Sequence, residues 1–535
     1  MPSTPSSLDY DIIVVGGGNA GFCAAISASQ SGAQRILLID KCPSTWAGGN
    51  TYFTAGAMRT AHSGLQDILP LVNNVPPEKA QLIDLPPYTR DDFLADMERI
   101  TQGKYDRELG KVLVDESTSA VKWLKGNGVR FQLSFNRQAY EVDGRFKFWG
   151  GLCLKTEDGG RGLVQDHQDA AKRHGVEVLY ETGAEKINLD PETGVFKSLL
   201  VDKKGEQMLV NAKALVLAAG GFESSPRMRA QHLGPGWELA HVRGTPYNIG
   251  ECLEMAIRDI AAKQAGQWSG CHSVAWDANA PRNSGDREIS NEFTKSGYPF
   301  GVTINIQGKR FFDEGSDIRN YTYAKFGRAI LAQPQGVAFQ VWDSQTVGWL
   351  RDEEYRDEIV EKIHGDSIEE LAQKCARKGL EDPNAFAQTL QSYNEAVYNH
   401  RAENKSGLKW DPAVKDGLGT QSSKTQLTIP KSNWALPIDQ GPFMAIKVGC
   451  GVTFTFGGLA VDPQTAGVIS NLTGKVVPGV FCAGEMLGGL FYENYPGGSG
   501  LTSGAVFGRK AGVQAAAVVK NSGRPPRREV VPSHL

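Results

Sequence analysis

The chain has 535 residues, of which 40% are hydrophobic and 22% are charged, and its formal net charge is −3. That length is enough to bury a sizeable core and predicts two domains or one elaborated domain. The balanced charge excludes the basic excess of nucleic-acid-binding proteins, and no apolar run reaches the ~20 residues that cross a bilayer.

The N-terminal residues and the cysteines indicate where the protein resides. "MPSTPSSLDYD" lacks the charged-then-apolar pattern of a secretory signal, so we expect an intracellular protein. The eight cysteines are scattered and form no CxxC pair. This spacing predicts buried thiols in a reducing compartment, with neither a disulfide framework nor a metal site.

The first predicted elements form a strand–turn–helix unit that begins at residue 12. An apolar, β-branched run, "IIVV", predicts a buried parallel strand, and a helical pattern follows it to about residue 31. Between them, GxGxxG glycines allow a tight turn, close approach of the backbone to a pyrophosphate and close helix–strand packing. A second strand, "RILLID", ends on a carboxylate that suits ribose hydroxyls. The residues of this predicted dinucleotide site are Gly16, Gly18, Gly21 and Asp40.

Later segments indicate that the dinucleotide is FAD rather than NAD. "KALVLAAGGFESS" at 213–225 and "VPGVFCAGEMLGG" at 477–489 each predict a buried strand that ends in glycines. The second delivers Glu485, and "ENYPGGSGLTSG" at 493–504 then enters a helix. An extended FAD needs such a second unit, because one end of the chain holds the ADP half and the other holds the ribityl chain and the flavin. The glycines of 497–504 are therefore predicted to approach the isoalloxazine ring.

Together these segments resemble the FAD-dependent fumarate reductase and succinate dehydrogenase flavoprotein superfamily. The resemblance runs from about residue 9 to about residue 515, through "VVGGGNAG", "GGNTYFTAGAMR", "VLAAGGFE", "GKRFFDE", "TFTFGG", "FCAGE" and "NYPGGSGLTSGAVFGRKAG". Within it, "GGNT", "DEGSDIRNYTYAKFGRAIL" and "ENYPGGSGLTSGAVFGR" are most similar to the tricarballylate dehydrogenases. Those FAD enzymes oxidise tricarballylate to cis-aconitate.

The resemblance implies an α/β fold, with a Rossmann-like FAD-binding domain of the glutathione reductase type and an inserted α+β capping domain. The expected FAD-binding domain is discontinuous (8–262 and 430–520), the capping domain covers 263–429, and 521–535 form a flexible C-terminal tail. The insert itself lacks strand–glycine–helix units and carries an amphipathic helical pattern that begins "SIEELAQKCARKG". Its apolar stripe predicts core packing rather than contact with the cofactor.

A missing residue predicts how the cofactor is attached. In the family, covalent FAD is linked to a histidine just before the glycine pair, and "PSTWAGGNT" at 43–51 contains no histidine. We therefore expect FAD to be bound non-covalently. The motifs and the resemblance together predict that it contacts Gly16, Gly18, Gly21, Asp40, Lys41, Gly49, Asn50, Thr51, Gly56, Ala184, Gly220, Glu485, Ser499 and Leu501.

Flavin desaturation needs a group that takes the substrate's Cα proton and a group that polarises the adjacent carbonyl or carboxylate. By the resemblance, the proton-transfer residue is the arginine shortly after "GKRFFDE", which is Arg319 when one extra residue is allowed. Guanidinium is an unusual acid or base because it holds its proton tightly, and clamping a carboxylate is the alternative role. His272 falls near the family's first substrate-binding histidine, with a structural hydrogen bond as its alternative role.

Several positions depart from the family pattern. Thr453 stands where the second substrate-binding histidine is expected, and Tyr495 replaces a substrate-clamping arginine. The acid-x-x-arginine relay before "GKRF" has only Glu292 and Lys295 as candidates, and their register is off. Simple fumarate reduction is therefore disfavoured. A tyrosine before "PGGSG" also resembles the ketosteroid dehydrogenases, in which a phenol and a glycine amide polarise a ketone, and packing is its alternative role.

These observations predict an FAD-dependent dehydrogenase that desaturates a polycarboxylate, tricarballylate-like acids being favoured, or a related carbonyl compound. The alternatives are an ene-reductase of the fumarate reductase type, a ketone-adjacent desaturase, and a flavoprotein retained as a binding module. The chain has no haem motif and no fused FMN-binding region, so we expect an external electron acceptor, oxygen or a separate donor. Ser533, His534 and Leu535 resemble a peroxisomal import signal of the SKL type, with a cytoplasmic location as the alternative.

Overall fold

The computed structural model describes residues 7–148, 150–404 and 407–522. Its main sheet has six strands, of which five run parallel. The runs "IIVV", "ILLI" and "ALVL" are buried at every position, as expected for strands covered by helices on both faces. In spatial order the strands are Glu177–Leu179, Ile36–Ile39, Ile12–Val15, Ala214–Leu217, Val476–Cys482 and Gly467–Ile469.

The first long helix and the last one, which come from opposite ends of the chain, pack against each other beside this sheet. Glycines allow the close approach of the helices Asn19–Gln30 and Ser499–Asn521. A Cβ at Gly508 would lie 2.4 Å from the carbonyl oxygen of Ala20. The other helices before residue 262 are Leu65–Ile68, Pro77–Ala80, Arg90–Ile100, Arg107–Gly126, Phe135–Gln138, Gly159–Arg173, Pro226–Met228 and Glu251–Ile260.

Smaller sheets surround the main one. A four-stranded sheet contains Ser7–Asp9, Glu206–Asn211, Phe196–Lys203 and Thr182–Leu189. Two three-stranded sheets consist of Ala57–Met58, Leu154–Thr156 and Phe131–Leu133, and of Ile83–Asp84, Arg145–Phe148 and Ala139–Val142. Gln264–Ala265 pairs with Gly458–Leu459.

A second six-stranded sheet forms the core of residues 263–455, which are called the inserted region below. Its long strand Phe443–Thr455 pairs with most of the others, which are His241–Val242, Cys271–Asp277, Ala338–Trp342 and Ile363–Gly365, while Val302–Asn305 pairs with Ala338–Trp342. The capping domain at 263–429 stays a prediction, and this sheet includes strands on both sides of those bounds. The region's helices are Phe326–Leu331, Ser344–Val347, Asp352–Tyr355, Ile368–Ala376 and Pro383–Glu403.

The amphipathic pattern of the insert forms two helices, Ile368–Ala376 and Pro383–Glu403. Its apolar stripe is buried in the core of this region, as predicted, through Leu371, Phe386, Leu390 and Tyr393. The predicted α/β fold with a Rossmann-like sheet is confirmed.

Three further predictions from the sequence concern the cysteines, membrane spans and the C-terminal tail. All eight cysteines are buried and free. Within the described ranges, no helix is both long and apolar enough to cross a membrane. Ser533, His534 and Leu535 lie outside the described residues.

Candidate active site

One cavity runs along the carboxyl ends of the main sheet's strands and reaches the sheet of the inserted region. It brings together most of the residues predicted to contact the cofactor. Those that line it are Gly16, Gly18, Asp40, Lys41, Gly49, Asn50, Thr51, Ala184, Gly220, Glu485 and Leu501. The three predicted catalytic residues line the same cavity: Arg319, His272 and Tyr495.

Three predicted cofactor contacts are not among the lining residues and stay predictions, and each has a packing or hydrogen-bonding role in the protein. Gly21 packs against the turn, since a Cβ there would lie 1.8 Å from the carbonyl oxygen of Gly16. Gly56 has a positive φ of 76°, and its Cβ would lie 2.0 Å from Thr156 Oγ1. The hydroxyl of Ser499 donates to the carbonyl oxygen of Pro496 at 2.6 Å.

Asp40 marks one end of the cavity, directly after the strand Ile36–Ile39. Its Oδ2 accepts a hydrogen bond from the backbone N–H of Gly17 at 2.8 Å, and its Oδ1 accepts one from Cys42 at 3.0 Å. The neighbouring Lys41 forms an ion pair with Glu251. These bonds fix the carboxylate beside the glycine turn, where it can accept from ribose hydroxyls.

Two helix N-termini lie at the cavity. The helices Asn19–Gln30 and Ser499–Asn521 begin after Gly18 and Gly498, without a side-chain cap or an acidic residue in the first turn. The N–H groups of Asn19 and Ser499 donate to Thr51 Oγ1 and to the carbonyl oxygen of Pro496. The following N–H groups of each first turn and the helix dipoles favour an anionic ligand. A Cβ at Gly18 or Gly500 would meet no protein atom closer than 3.5 Å. This open glycine backbone forms a cradle that fits a dinucleotide.

Asn50 ties the cradle to the inserted region. Its side-chain amide donates to Glu223 Oε1 at 2.5 Å and to the carbonyl oxygen of Thr453 at 2.6 Å. Its Oδ1 accepts from the N–H of Thr245 at 3.0 Å. The predicted position of Asn50 in the cavity is therefore fixed by three bonds to distant segments.

Two phenols meet in the cavity beside the glycines at 497–500. The hydroxyl oxygens of Tyr323 and Tyr495 are 2.6 Å apart, and the ring of His272 lies edge-on to both, with centroids 5.2 and 5.1 Å away. Burial, followed by the neighbouring Tyr323, raises the pKa of Tyr495 well above its ordinary value. Tyr495 therefore stays protonated at neutral pH and can donate a hydrogen bond.

Buried polar groups without partners point into this part of the cavity. Within the described residues, neither ring nitrogen of His272 has a hydrogen-bond partner, and neither does the side-chain amide of Asn320 or the hydroxyl of Thr294. All three line the cavity. Since buried polar groups are normally satisfied, this set indicates a polar ligand. Burial, followed by the nearby charge of Arg243, lowers the pKa of His272 well below its ordinary value, so the ring is neutral at pH 7.

Arg319 is held by residues of the inserted region. Its Nη1 donates to Ser296 Oγ at 3.5 Å, and that hydroxyl donates to Glu354 Oε2 at 2.6 Å. Arg351 pairs with the same carboxylate at 3.2 Å. These four side chains all line the cavity, so the guanidinium of Arg319 is positioned by a buried polar network.

The two residues considered as a proton relay in the sequence analysis lie outside this cavity. Glu292 forms an ion pair with Arg356, and the Nζ of Lys295 donates to the carbonyl oxygens of Glu292 and Glu354 at 2.7 and 2.8 Å. Neither residue lines the cavity.

Aromatic rings form a wall of the cavity next to the phenols. The ring centroids of Phe454, Phe491 and Phe456 lie 5.0, 5.5 and 6.5 Å from that of Tyr495. Phe454 directly precedes "TFGG", so a phenyl ring as well as Thr453 lines the cavity at this turn. The wall presents an apolar surface beside the polar side chains.

Several cavity residues were not predicted from the sequence: Arg243, Thr294, Ser296, Asn320, Arg351, Glu354 and Phe454. Glu223, which accepts a hydrogen bond from the cavity residue Asn50, was not predicted either. Most belong to segments that carry no motif. Glu223 had a signal, because it ends the "GGFE" motif. Asn320 directly follows Arg319 and offered no signal of its own.

Comparisons with known proteins identify the family and the fold. A family model described as FAD binding domain matches residues 11–501. The chain is 25% identical over 508 residues to the probable fumarate reductase Ifc3 of Shewanella frigidimarina, which covers 94% of this chain and 74% of that protein. It is 26% identical over 524 residues to the vinyl phenol reductase of Lactiplantibacillus plantarum, covering 95% and 96%. A solved 3-ketosteroid Δ1-dehydrogenase from Sterolibacterium denitrificans has a similar fold, with a TM-score of 0.70 and 18% identity over 95% of this chain and 99% of that chain.

Proposed function

The chain belongs to the FAD binding domain family and is an FAD-dependent oxidoreductase, and we propose that it interconverts a C–C single bond and a C=C double bond beside a carboxylate or carbonyl group. Four polar side chains that line one cavity support this assignment most directly. They are Arg319, His272, Tyr323 and Tyr495. They share the cavity with the glycine cradle, as a reaction between cofactor and substrate requires.

The residues present fit FAD. When bound, FAD supplies the acceptor or donor of a hydride. The open backbone at Gly18 and Gly500 and the two helix N-termini suit its phosphates and ring, and Asp40 suits a ribose. Among the described lining residues the only histidine is His272, which belongs to the strand Cys271–Asp277 rather than to the loop before Gly49. This supports the prediction of non-covalent binding.

Three residues of the chain act on the substrate in different ways. Arg319 exchanges the proton at the substrate's Cα, or clamps a carboxylate through its planar fork. Tyr495 donates a hydrogen bond to the carbonyl or carboxylate oxygen, which polarises the group and acidifies Cα. His272, being neutral, orients the substrate by hydrogen bonding instead of acting as a cationic acid.

Two substrate classes follow from different observations. The similarity of "DEGSDIRNYTYAKFGRAIL" to the tricarballylate dehydrogenases favours a polycarboxylate, which Arg319 and Asn320 would bind. The aromatic wall favours a second candidate, an acid or ketone with a planar ring, and supports it through Phe454, Phe456 and Phe491. The relative that reduces vinyl phenol is consistent with the second class.

The direction of the reaction has two candidates as well. Desaturation requires an external electron acceptor or oxygen, and it is the direction that the sequence pattern favours. Reduction requires a separate donor, and both relatives named above are reductases.

Anaerobic flavin spectroscopy tests the proposal in both directions. The purified holoprotein is mixed with tricarballylate, succinate, an aryl propionate and a cyclic keto acid, and bleaching of the flavin is followed. The photoreduced protein is mixed with the corresponding unsaturated compounds, and reoxidation is followed. At least one pair should react, and failure of every pair in both directions would contradict the proposal.

The Arg319→Ala variant tests whether the protein is an enzyme or a flavoprotein that only binds its ligand. We expect it to keep the flavin spectrum and to lose about 10²-fold or more in rate, because it lacks the proton-transfer group. The matched control is Arg328→Ala, since Arg328 donates to the carbonyl oxygen of Ser269 and does not line the cavity. An Arg319→Ala variant as fast as this control would remove Arg319 from the mechanism.

A further inference from the structure

Two glutamates that the proposed reaction does not use meet at the cofactor end of the cavity. Glu223 follows the strand Ala214–Leu217, and Glu485 follows the strand Val476–Cys482. The two strands are parallel neighbours, with Leu217 opposite Cys482. Their carboxyl ends therefore bring both side chains to the same edge of the sheet: a Cβ at Gly221, two residues before Glu223, would lie 2.1 Å from Glu485 Oε1. The charge of Glu485 acts on Glu223 at this position.

The surroundings satisfy one oxygen of each carboxyl group. Glu485 Oε1 accepts from the N–H and the hydroxyl of Thr455 at 2.7 and 3.1 Å. Glu223 Oε1 accepts from the amide of Asn50 at 2.5 Å, whereas Glu223 Oε2 is buried without a donor among the described residues. Two ionised carboxylates would repel each other there. One proton on the pair turns the repulsion into an O–H···O⁻ hydrogen bond.

Among the described residues, no ion pair includes Glu223 or Glu485, and one buried cation, Arg229, lies near Glu223. Arg229, the charged group that acts on Glu223, directs its guanidinium to the carbonyl oxygens of Trp237, Glu238 and Ala240 and to that of Glu223 itself. Glu223 has no exposed surface. The charge of Arg229 can balance only one of the two carboxylates, so the other has to be neutralised by a proton.

We propose that Glu223 and Glu485 form a proton-holding pair beside the cofactor: they share one proton at neutral pH and bind a second from solvent when the two electrons of the reaction enter the cavity. The charges balance, because transfer of a hydride into the cavity adds one negative charge and the proton taken up by the pair removes it. Glu485 lines the cavity and accepts a hydrogen bond from Thr455, the neighbour of Phe454, whose ring would lie 3.8 Å from a Cβ at Gly500. Since Gly500 belongs to the glycines predicted to approach the flavin, Glu485 lies near the added charge.

The titration of the two groups supports this assignment. Burial, followed by the charge of Glu485, raises the pKa of Glu223 well above its ordinary value. Burial raises the pKa of Glu485 to about 7, although the hydrogen bonds that Thr455 donates act in the opposite direction and lower the pKa. Added negative charge nearby raises both further, which makes proton uptake near neutral pH favourable.

Redox titration of the holoprotein tests the pair without a substrate. The flavin is reduced electrochemically at a series of pH values between about 6 and 8, and the protons bound per two electrons are obtained from the pH dependence of the midpoint potential. Wild type should bind up to one proton more than Glu223→Gln. The control is Glu254→Gln, which removes an exposed acid paired with Arg227 and should match wild type. Equal proton uptake in all three proteins would overturn the proposal.

Infrared difference spectroscopy covers the case in which Glu223→Gln fails to fold or to bind FAD. Wild-type holoprotein is labelled with ¹³C-glutamate, and spectra of the oxidised and reduced forms are subtracted. A protonated-carboxyl band that grows on reduction and shifts with the label is expected. A difference spectrum without such a band would also overturn the proposal.

Discussion

At the scale of single residues, Tyr323 and Tyr495 form a bonded pair whose members should differ in their effect on the reaction. Tyr495→Phe is expected to lose roughly 10²-fold in rate, as on removal of one donor from an oxyanion-type site. Tyr323→Phe should lose less, because it removes only the partner 2.6 Å from the Tyr495 hydroxyl. The rate of anaerobic flavin bleaching by the substrate found in the panel measures both, with the flavin spectrum as a check on binding.

A third phenol provides the control for this comparison. Tyr298 is buried, and its hydroxyl lies 2.6 Å from Thr322 Oγ1, but it does not line the cavity. Tyr298→Phe should therefore cost about 1 kcal/mol of stability and leave the rate unchanged. If Tyr495→Phe behaves like Tyr298→Phe, Tyr495 only packs and another group polarises the carbonyl.

At the scale of elements, the C-terminal helix Ser499–Asn521 carries two glycines with opposite surroundings. A Cβ at Gly500 would lie at least 3.8 Å from any protein atom, and Gly500 lines the cavity. A Cβ at Gly508 would lie 2.4 Å from the carbonyl oxygen of Ala20 in the first helix. Gly500→Ala should leave the apoprotein as stable as wild type and weaken FAD binding about tenfold or more. Gly508→Ala should destabilise the apoprotein by about 1–3 kcal/mol.

Urea unfolding of the two apoproteins and FAD titration of the refolded samples measure these effects. The alanines differ only in position on one helix, so each serves as the control for the other. Unchanged FAD affinity in Gly500→Ala would mean that the cofactor does not approach this turn of the helix.

The elements predicted well from sequence were those whose signals are local. "IIVV" and "GGGNAG" predict a strand, a turn and a helix because period and glycine spacing act within about twenty residues, and the structure confirms them. Ser296 was missed because it is held at the cavity by Glu354, 58 residues away in sequence, which leaves no local pattern. Asn320 was missed because the motif that contains Arg319 does not indicate which of its neighbours face the cavity. Gly21 and Gly56 belong to predicted motifs, and a motif does not distinguish a glycine that lines the cavity from one that packs a turn.

At the scale of the whole molecule, the holoprotein should release its cofactor when it unfolds. The loop 43–51 contains no histidine, and the one histidine among the described lining residues comes from the inserted region. Acid or heat precipitation should therefore leave free FAD in the supernatant, measured by absorbance and fluorescence after centrifugation. Flavin that stays with the pellet after washing in denaturant would contradict non-covalent binding.

The acid stability of the whole fold should depend on His167, which joins the helix Gly159–Arg173 to the first helix. Its Nε2 lies 2.9 Å from Asn19 Oδ1, and its ring stacks on Phe22. Burial lowers the pKa of His167 to about 3, below the ordinary value of about 6.5. The unfolded chain thus binds more protons in acid, so this stabilisation is complete above about pH 6.5 and is lost as the pH falls toward 3.

The His167→Gln variant isolates this contribution, because glutamine can keep a hydrogen bond to Asn19 without titrating. The melting temperature of wild type should exceed that of the variant by less at about pH 4.5 than at pH 7, since protonation of His167 in the unfolded chain favours unfolding by roughly 2–3 kcal/mol at the lower pH. His364→Gln, which changes an exposed histidine, should follow the wild-type pH profile. A constant difference between wild type and His167→Gln across the pH range would show that His167 does not titrate in this way. The buried ring would then stabilise the junction of the two helices through packing alone.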